Sequence, residues 1–159
     1  DFGAGRTAIQ LAAGTLHTCA RLNNDDVKCW GHNDWGQLGQ GDINYRGDQP
    51  SEMGDDLPPV DLGIARTALQ IVAGKWHTCA RLDYGGVKCW GKNLYGVLGQ
   101  GDTAIRGDEE FELGEYLDPI DLGRADGQNK FTLQLAAGNW HTCAILDDHT
   151  VKCWGYNSD

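Results

Sequence analysis

Residues 71–90 read IVAGKWHTCARLDYGGVKCW, and this pattern returns at 11–30 as LAAGTLHTCARLNNDDVKCW and at 135–154 as LAAGNWHTCAILDDHTVKCW. The copies start 60 and 64 residues apart, and the match between the first two continues to residues 42 and 102. Repeats of this length fold as supersecondary units that bury their apolar faces against one another. We therefore divide the chain into repeat 1 (1–56), repeat 2 (57–116) and repeat 3 (117–159).

Each repeat is predicted to form one small antiparallel sheet. In repeat 2 the segments 67–73, 77–82 and 87–90 are short, rich in β-forming residues and bounded by glycine or by Asn/Asp/Gly clusters. A fourth strand is expected at 58–62, where the two prolines restrict it to a strand start or an edge. The predicted fold class is therefore all-β, with tandem four-stranded antiparallel blades that stack on one another as in β-propellers and solenoids.

The chain is acidic, with 23 Asp and Glu against 13 Lys and Arg, and its formal net charge is −10. Such a surface repels phosphate backbones and anionic lipids, so nucleic acid is not expected as a partner. The sequence contains no run of 18 apolar residues, and membrane insertion is not expected either.

The six cysteines fall into three pairs, each with the same ten-residue offset across a predicted hairpin. Cross-strand pairing brings the members of a pair nearly opposite one another. Disulfides are favoured over zinc, because one hairpin supplies only three His or Cys ligands and lacks the C-x-x-C spacing. Disulfides in turn indicate an extracellular or cell-surface location. The predicted bridges are Cys19–Cys29, Cys79–Cys89 and Cys143–Cys153.

A histidine precedes each Thr-Cys pair, at His17, His77 and His141. Histidine is the usual acid or base near neutral pH, but no nucleophile accompanies it here. The cysteines are assigned to disulfides, and the sequence holds only two serines. An active site is normally single, whereas these positions recur with the repeat. We therefore predict structural histidines that bond a neighbouring backbone group, in a protein that is not an enzyme.

The connectors that follow the hairpins are rich in carboxylates, which are the ligands that Ca²⁺ prefers. Their spacing matches neither an EF-hand nor the calcium-binding nonapeptide repeat. Solvated loops, in which Asp caps tight glycine turns, are the favoured interpretation, and no other cofactor is expected. The alternative is a calcium site formed from Asp42, Asp48, Glu52, Asp102, Asp108 and Glu112.

The tryptophans divide into two sets. One set ends the Lys-Cys-Trp-Gly strand and is predicted to lie between blades or against the disulfides, at Trp30, Trp90 and Trp154. The other lies at loop edges together with a tyrosine, and repeated edge aromatics favour contact with protein or carbohydrate. This candidate contact surface comprises Trp35, Trp76, Tyr95 and Trp140.

The pattern HTCARL…VKCWGxNxxGQLGxGD resembles the repeat of the regulator of chromosome condensation family, in a bacterial-style extracellular form with Cys pairs. The Ala-Gly-x-x-His opening, the Trp-Gly-x-Asn turn and the Gly-Gln-Leu-Gly-x-Gly tail occur together and in order, and the resemblance covers essentially the whole chain. It implies a closed propeller of about seven blades that serves as a protein-binding platform. A guanine-nucleotide-exchange role is disfavoured by the Cys pairs and by the acidic charge.

The sequence also predicts how the repeats assemble. Residues 1–3 align with 61–63, so repeat 1 is expected to lack its fourth strand, and three blades are too few to close a ring. We expect an open arc, a repeat filament or a fragment of a propeller of about seven blades, completed by neighbouring copies of the chain. The expected function is that of a structural or binding repeat protein. The alternative is a closed secreted propeller that binds and regulates one protein partner.

Overall fold

Three small antiparallel sheets, one in each repeat, form the framework of the computed structural model, which describes residues 2–125 and 128–157. Blade 1 consists of β1 (Ala8–Ala13), β2 (His17–Leu22) and β3 (Val27–Gly31). Blade 2 consists of β4 (Ala68–Ala73), β5 (His77–Leu82) and β6 (Val87–Gly91). A short hairpin, β7 (Arg124–Ala125) and β8 (Gln128–Asn129), precedes blade 3, which consists of β9 (Thr132–Ala137), β10 (His141–Leu146) and β11 (Val151–Gly155). Single 3-10 turns lie at Gly54–Asp56, Leu94–Gly96 and Gly114–Tyr116.

The second hairpin of each blade has the same register. Cys19 pairs with Cys29 in blade 1, and Cys79 and Cys143 pair with their partners in the same way. The turn of blade 1 places Asp25 at a φ of 67°, a conformation that Asp and Asn tolerate better than most residues. The Asn/Asp/Gly cluster between the strands therefore fixes the register, and the register places the cysteines opposite one another.

The blades have three strands, and the prediction of a fourth is wrong. Residues 58–62 make one backbone hydrogen bond to β3, from Val60 N–H to the Val27 carbonyl at 2.7 Å, and form no regular ladder with it. Ile120 N–H makes the equivalent bond to Val87 in repeat 2. Pro58 and Pro59 carry no N–H, so the segment has too few donors to extend a ladder.

The hydrophobic core lies between blades rather than within them. One cluster of buried side chains joins blade 1 to blade 2 and includes Val27, Val60 and Ile71. A second cluster joins blade 2 to blade 3 and includes Ile120 and Leu135. A three-stranded sheet cannot bury both of its faces alone, so each blade depends on its neighbour for burial.

A buried asparagine organises the connector that follows each Trp-Gly. The Asn33 side-chain oxygen accepts the Leu38 N–H at 2.9 Å, and its amide donates to the Asp42 carbonyl at 2.7 Å. Asn93 makes the same pair of bonds to Leu98 and Asp102. The Gly-Gln-Leu-Gly tail is thus a tight loop that places a leucine in the core.

No helix in the described part of the chain is long and apolar enough to cross a bilayer.

Candidate interaction surfaces

A histidine bonds each blade to the next. His17 Nε2 lies 2.9 Å from Thr78 Oγ1, and His77 Nε2 lies 3.0 Å from Thr142 Oγ1. The Thr78 hydroxyl donates its own hydrogen to the Gln37 carbonyl at 2.9 Å, so it accepts from His17, and Nε2 carries the proton. The sequence pattern predicted a backbone partner for these histidines. The partner is instead a threonine hydroxyl of the next blade, which in turn reaches the backbone.

Burial keeps these two histidines neutral. Desolvation, with a smaller contribution from the charge of nearby histidines, lowers the pKa of His17 to about 4 and that of His77 to about 4. Both rings are buried in the interface between two successive blades, which we call the seam, and are out of reach of a substrate. His141, the equivalent residue of blade 3, is exposed.

A glutamine on the first strand of each blade clamps the backbone of the following blade. Gln10 donates to the Ile71 carbonyl at 2.8 Å and accepts from the Ile71 N–H at 3.0 Å. Gln70 makes the same two bonds to Leu135, at 2.9 and 2.8 Å. Sequence reasoning missed these residues, although a glutamine recurs at the same place in all three repeats, before Leu11, Ile71 and Leu135.

The outer faces of blades 1 and 3 expose residues whose equivalents are buried in the seams between blades. We call the exposed face of blade 1, with Leu11 and Thr18, the front face, and that of blade 3, with Gln134, His141 and Val151, the rear face. Leu11 is 63% exposed, whereas the equivalent Ile71 is 1% exposed. Val151 is 62% exposed, whereas the equivalent Val87 is fully buried.

All six cysteines are in disulfides, as the ten-residue offset predicted. The paired Cα atoms are 4.1 Å apart in each case, which is the separation of a close cross-strand pair. The bridges of blades 1 and 2 are fully buried.

The carboxylates of four of the six acidic residues considered as calcium ligands are bonded by the protein in two ways. Asp42 and Asp102 form ion pairs with Arg46 and Arg106, at 2.6 and 2.8 Å. Glu52 and Glu112 each accept backbone N–H groups from three successive residues, which include Asp48 and Asp108. These backbone hydrogen bonds lower the pKa of the Glu52 carboxyl, and the bond from Gln49 has the largest effect. Within 2–125 and 128–157, no three His, Cys, Asp or Glu side chains are grouped so as to hold a metal ion.

The strand-ending tryptophans lie at the seams. Trp90 is fully buried and its indole N–H donates to the Gln37 carbonyl at 3.1 Å. Trp154 donates in the same way to the Val97 carbonyl at 2.9 Å. Trp30 is less buried and packs on Phe2, with ring centroids 5.6 Å apart.

The four edge aromatics named from the sequence come together in one aromatic strip across the blades. Trp76 and Trp140 pack edge to face with centroids 5.0 Å apart, and Tyr95 lies 6.0 Å from Trp140. Two lysines, which the sequence patterns did not indicate, complete the strip. Lys92 lies 3.7 Å from the centroid of Trp35 and 4.3 Å from that of Trp76, while Lys75 lies over both Trp76 and Trp140. Tyr156 extends the strip beyond Tyr95.

The sequence that forms these blades and connectors matches a known repeat. The regulator of chromosome condensation (RCC1) repeat is found at residues 24–81 and 84–145, and a second profile of the same repeat matches 8–37, 69–97 and 133–159. The chain belongs to the RCC1 repeat family. The resemblance stated from the sequence is thereby confirmed.

Relatives of this RCC1 repeat protein are larger than the chain. It is 30% identical over 152 residues to the X-linked retinitis pigmentosa GTPase regulator of Mus musculus, covering 95% of the chain and 13% of that protein. It is 28% identical over 155 residues to the ultraviolet-B receptor UVR8 of Arabidopsis thaliana, covering 97% of the chain and 31% of the receptor. The crystal structure of yeast RCC1 (Prp20) bound to Kap60 aligns with a TM-score of 0.63 and 26% identity, over 96% of the chain and 30% of Prp20. The chain thus spans less than a third of each relative, with blades of the RCC1-type propeller.

Proposed function

We propose that this chain is a non-enzymatic structural and binding repeat module of an extracellular compartment, extended by further blades of its own kind. The observation that carries the proposal is that the bonds between successive blades are repeated. The same His–Thr and Gln–backbone bonds join blade 1 to blade 2 and blade 2 to blade 3. The front and rear faces carry the two complementary halves of that seam.

The rear face carries the side chains that would bond to a following blade. His141 and Gln134 occupy the positions of His77 and Gln70, and both are exposed. The front face offers the groups that bond to them, because Thr18 occupies the position of Thr78, and the backbone N–H and carbonyl of Leu11 occupy those of Ile71. A blade docked on either face would bury an exposed Leu or Val, which stabilises association by about 1.5 to 3 kcal/mol for each side chain. Because the two faces differ, the contact is head to tail, and copies of the chain add in one direction.

Two further features support the location and the absence of catalysis. Disulfides form and persist in oxidising compartments, so the three bridges favour the extracellular or cell-surface location. The recurring histidines of blades 1 and 2 are buried, neutral and bonded across seams, which is a structural arrangement rather than that of a general base.

Variants blocked at one face test the assembly. Leu11→Glu blocks the front face and Val151→Glu blocks the rear face, and both positions are exposed, so neither change disturbs a buried core. We expect the unmodified chain to form concentration-dependent oligomers in light scattering and each variant alone to be a monomer. A mixture of the two should give a one-to-one complex, because one free rear face meets one free front face. An unmodified chain that is monomeric at every concentration, or a mixture that does not associate, would contradict the proposal.

Ionic strength gives a second readout of the same assembly. Copies with a net charge of −10 repel one another at long range, and added salt screens this repulsion. Association through apolar faces and seam bonds should therefore strengthen as salt rises. Association driven by surface ion pairs would weaken instead.

A second candidate function is the capture of one protein partner on the aromatic strip. Trp35, Trp76, Tyr95 and Trp140 are half-buried or exposed, and aromatic residues in that state are typical of binding hot spots. Substitution of Trp76 and Trp140 by alanine should abolish capture while leaving head-to-tail association unchanged. Loss of both properties together would mean that the strip belongs to the seam.

A further inference from the structure

The connector of repeat 2 departs from that of repeat 1 although the two have the same backbone. Glu52 and Glu112 cap the same three amides, and the 3-10 turns at Gly54–Asp56 and Gly114–Tyr116 correspond. At four other positions repeat 2 replaces small or polar residues by larger aromatic or acidic ones. Gln49, Pro50, Ser51 and Asp56 correspond to Glu109, Glu110, Phe111 and Tyr116.

The two aromatic residues are held in the open. Phe111 is 70% exposed and Tyr116 is 68% exposed, and their rings pack edge to face with centroids 5.3 Å apart. Phe111 also has a φ of 64°, a conformation that is unfavourable for a bulky side chain. This backbone conformation does not require a phenylalanine, because Ser51 adopts it in repeat 1 at the same φ of 64°.

These rings border a groove of about 540 Å³ between the two connectors, whose lining includes Gly41, Pro59, Glu109, Glu110 and Phe111. The side chains of Glu109 and Glu110 are exposed, and in the described residues neither carboxylate forms an ion pair or accepts a hydrogen bond. The groove therefore combines two free carboxylates with two exposed ring faces.

We propose that this groove binds an arginine- or lysine-bearing segment of a protein partner, with a cationic side chain on the Phe111 and Tyr116 rings beside Glu109 and Glu110. Cations bind aromatic faces, and guanidinium groups also pair with carboxylates. The net charge of −10 attracts such a segment to the surface, and the groove decides where it binds. This site is separate from the front and rear faces, so the proposal is independent of the assembly.

The test uses the folded chain and a fluorescein-labelled Arg-Gly-Arg-Gly-Arg peptide, with anisotropy measured at about 0.15 M salt. Phe111→Ser restores the repeat 1 residue at the same backbone geometry and leaves the charge unchanged, and it should weaken binding about fivefold. Glu109→Gln with Glu110→Gln should weaken binding by about fivefold or more. The matched control, Asp56→Asn with Asp118→Asn, removes the same charge from exposed positions outside the groove, and it should change binding less than about twofold.

Two results would overturn the proposal. One is a Phe111→Ser protein that binds the peptide as tightly as the unmodified chain. The other is an equal loss in the control and in the Glu109/Glu110 variant, which would mean diffuse attraction to an acidic surface. Near-ultraviolet circular dichroism of each variant, compared with the unmodified chain, establishes that the fold is retained.

Discussion

Gly74 lies directly against the imidazole of His77. A Cβ at Gly74 would lie 2.0 Å from His77 Cε1 and 2.7 Å from the Gly138 carbonyl oxygen, distances that no side chain tolerates. Gly14 stands in the same relation to His17. The Ala-Gly-x-x-His opening of the repeat is therefore a steric requirement. The glycine leaves room for the ring that crosses the seam.

Gly74→Ala should destabilise the protein by about 1 to 3 kcal/mol, because the added methyl displaces the His77 ring or the backbone of blade 3. The free energy of unfolding can be measured by urea titration with tryptophan fluorescence. His77→Ala is the matched background, because it removes the ring that the methyl meets. Gly74→Ala should cost less in that background. Equal costs in both backgrounds would show that the His77 ring is not the obstacle.

Acid should weaken the seams between blades. The pKa of His17 and that of His77 are each about 4 in the folded protein, below the ordinary value of 6.5. The unfolded chain therefore binds more protons, so the free energy of unfolding falls as pH drops from about 6.5 towards 4. Each histidine can contribute a loss on the order of 3 kcal/mol over that range. His77→Gln should reduce the slope of unfolding free energy against pH, and an unchanged slope would contradict this assignment.

The glutamine clamp predicts a difference between two equivalent positions. Gln70→Ala leaves the Leu135 N–H and carbonyl without a partner in the seam and should cost about 1 to 3 kcal/mol. Gln134→Ala, at the same position on the exposed rear face, should change the stability of the monomer by no more than about 0.5 kcal/mol. Urea titration at a concentration where the chain is monomeric compares the two. Equal effects would mean that the clamp contributes nothing to the seam.

The disulfides should be complete and individually stabilising. Native protein treated with iodoacetamide should show no mass increase, since no described cysteine is free. Replacing Cys79 and Cys89 by alanine opens a loop with a sequence separation of 10 and should cost about 2 to 3 kcal/mol. Alkylation without reduction would show that the bridges are absent from the isolated protein.

Local features of this fold were accessible from the sequence because they depend on neighbouring residues. Cys19 and Cys29 have the same offset as the other two cysteine pairs. This offset predicted their pairing, since a short turn fixes the register of a hairpin. The fourth strand was wrong for an equally local reason. β-forming residues at 58–62 suggested a strand, but the two prolines remove the donors that a ladder needs.

Contacts between blades were harder to predict, because they depend on how successive sheets are placed. The sequence suggested Trp76 and Trp140 as edge aromatics, yet they are 64 residues apart, and only the stacking of blades brings their rings to 5.0 Å. Lys92 was missed for the same reason. The acidic and aromatic groove had a usable signal in four positions, Phe111 among them, at which the connector of repeat 2 carries an acidic or aromatic residue in place of a different residue in repeat 1.

Each disulfide joins two strands of one blade, and none of them joins one blade to another. Under a pulling force the covalent network therefore protects the hairpins and leaves the seams as the parts that yield. Blades should separate one at a time, each retaining its crosslinked hairpin. Each bridge, with a sequence separation of 10, withholds about 30 Å of extension until it is reduced. A reductant would therefore lengthen the stretched chain in three equal steps, which makes the redox state of its surroundings a control on how far this protein can extend.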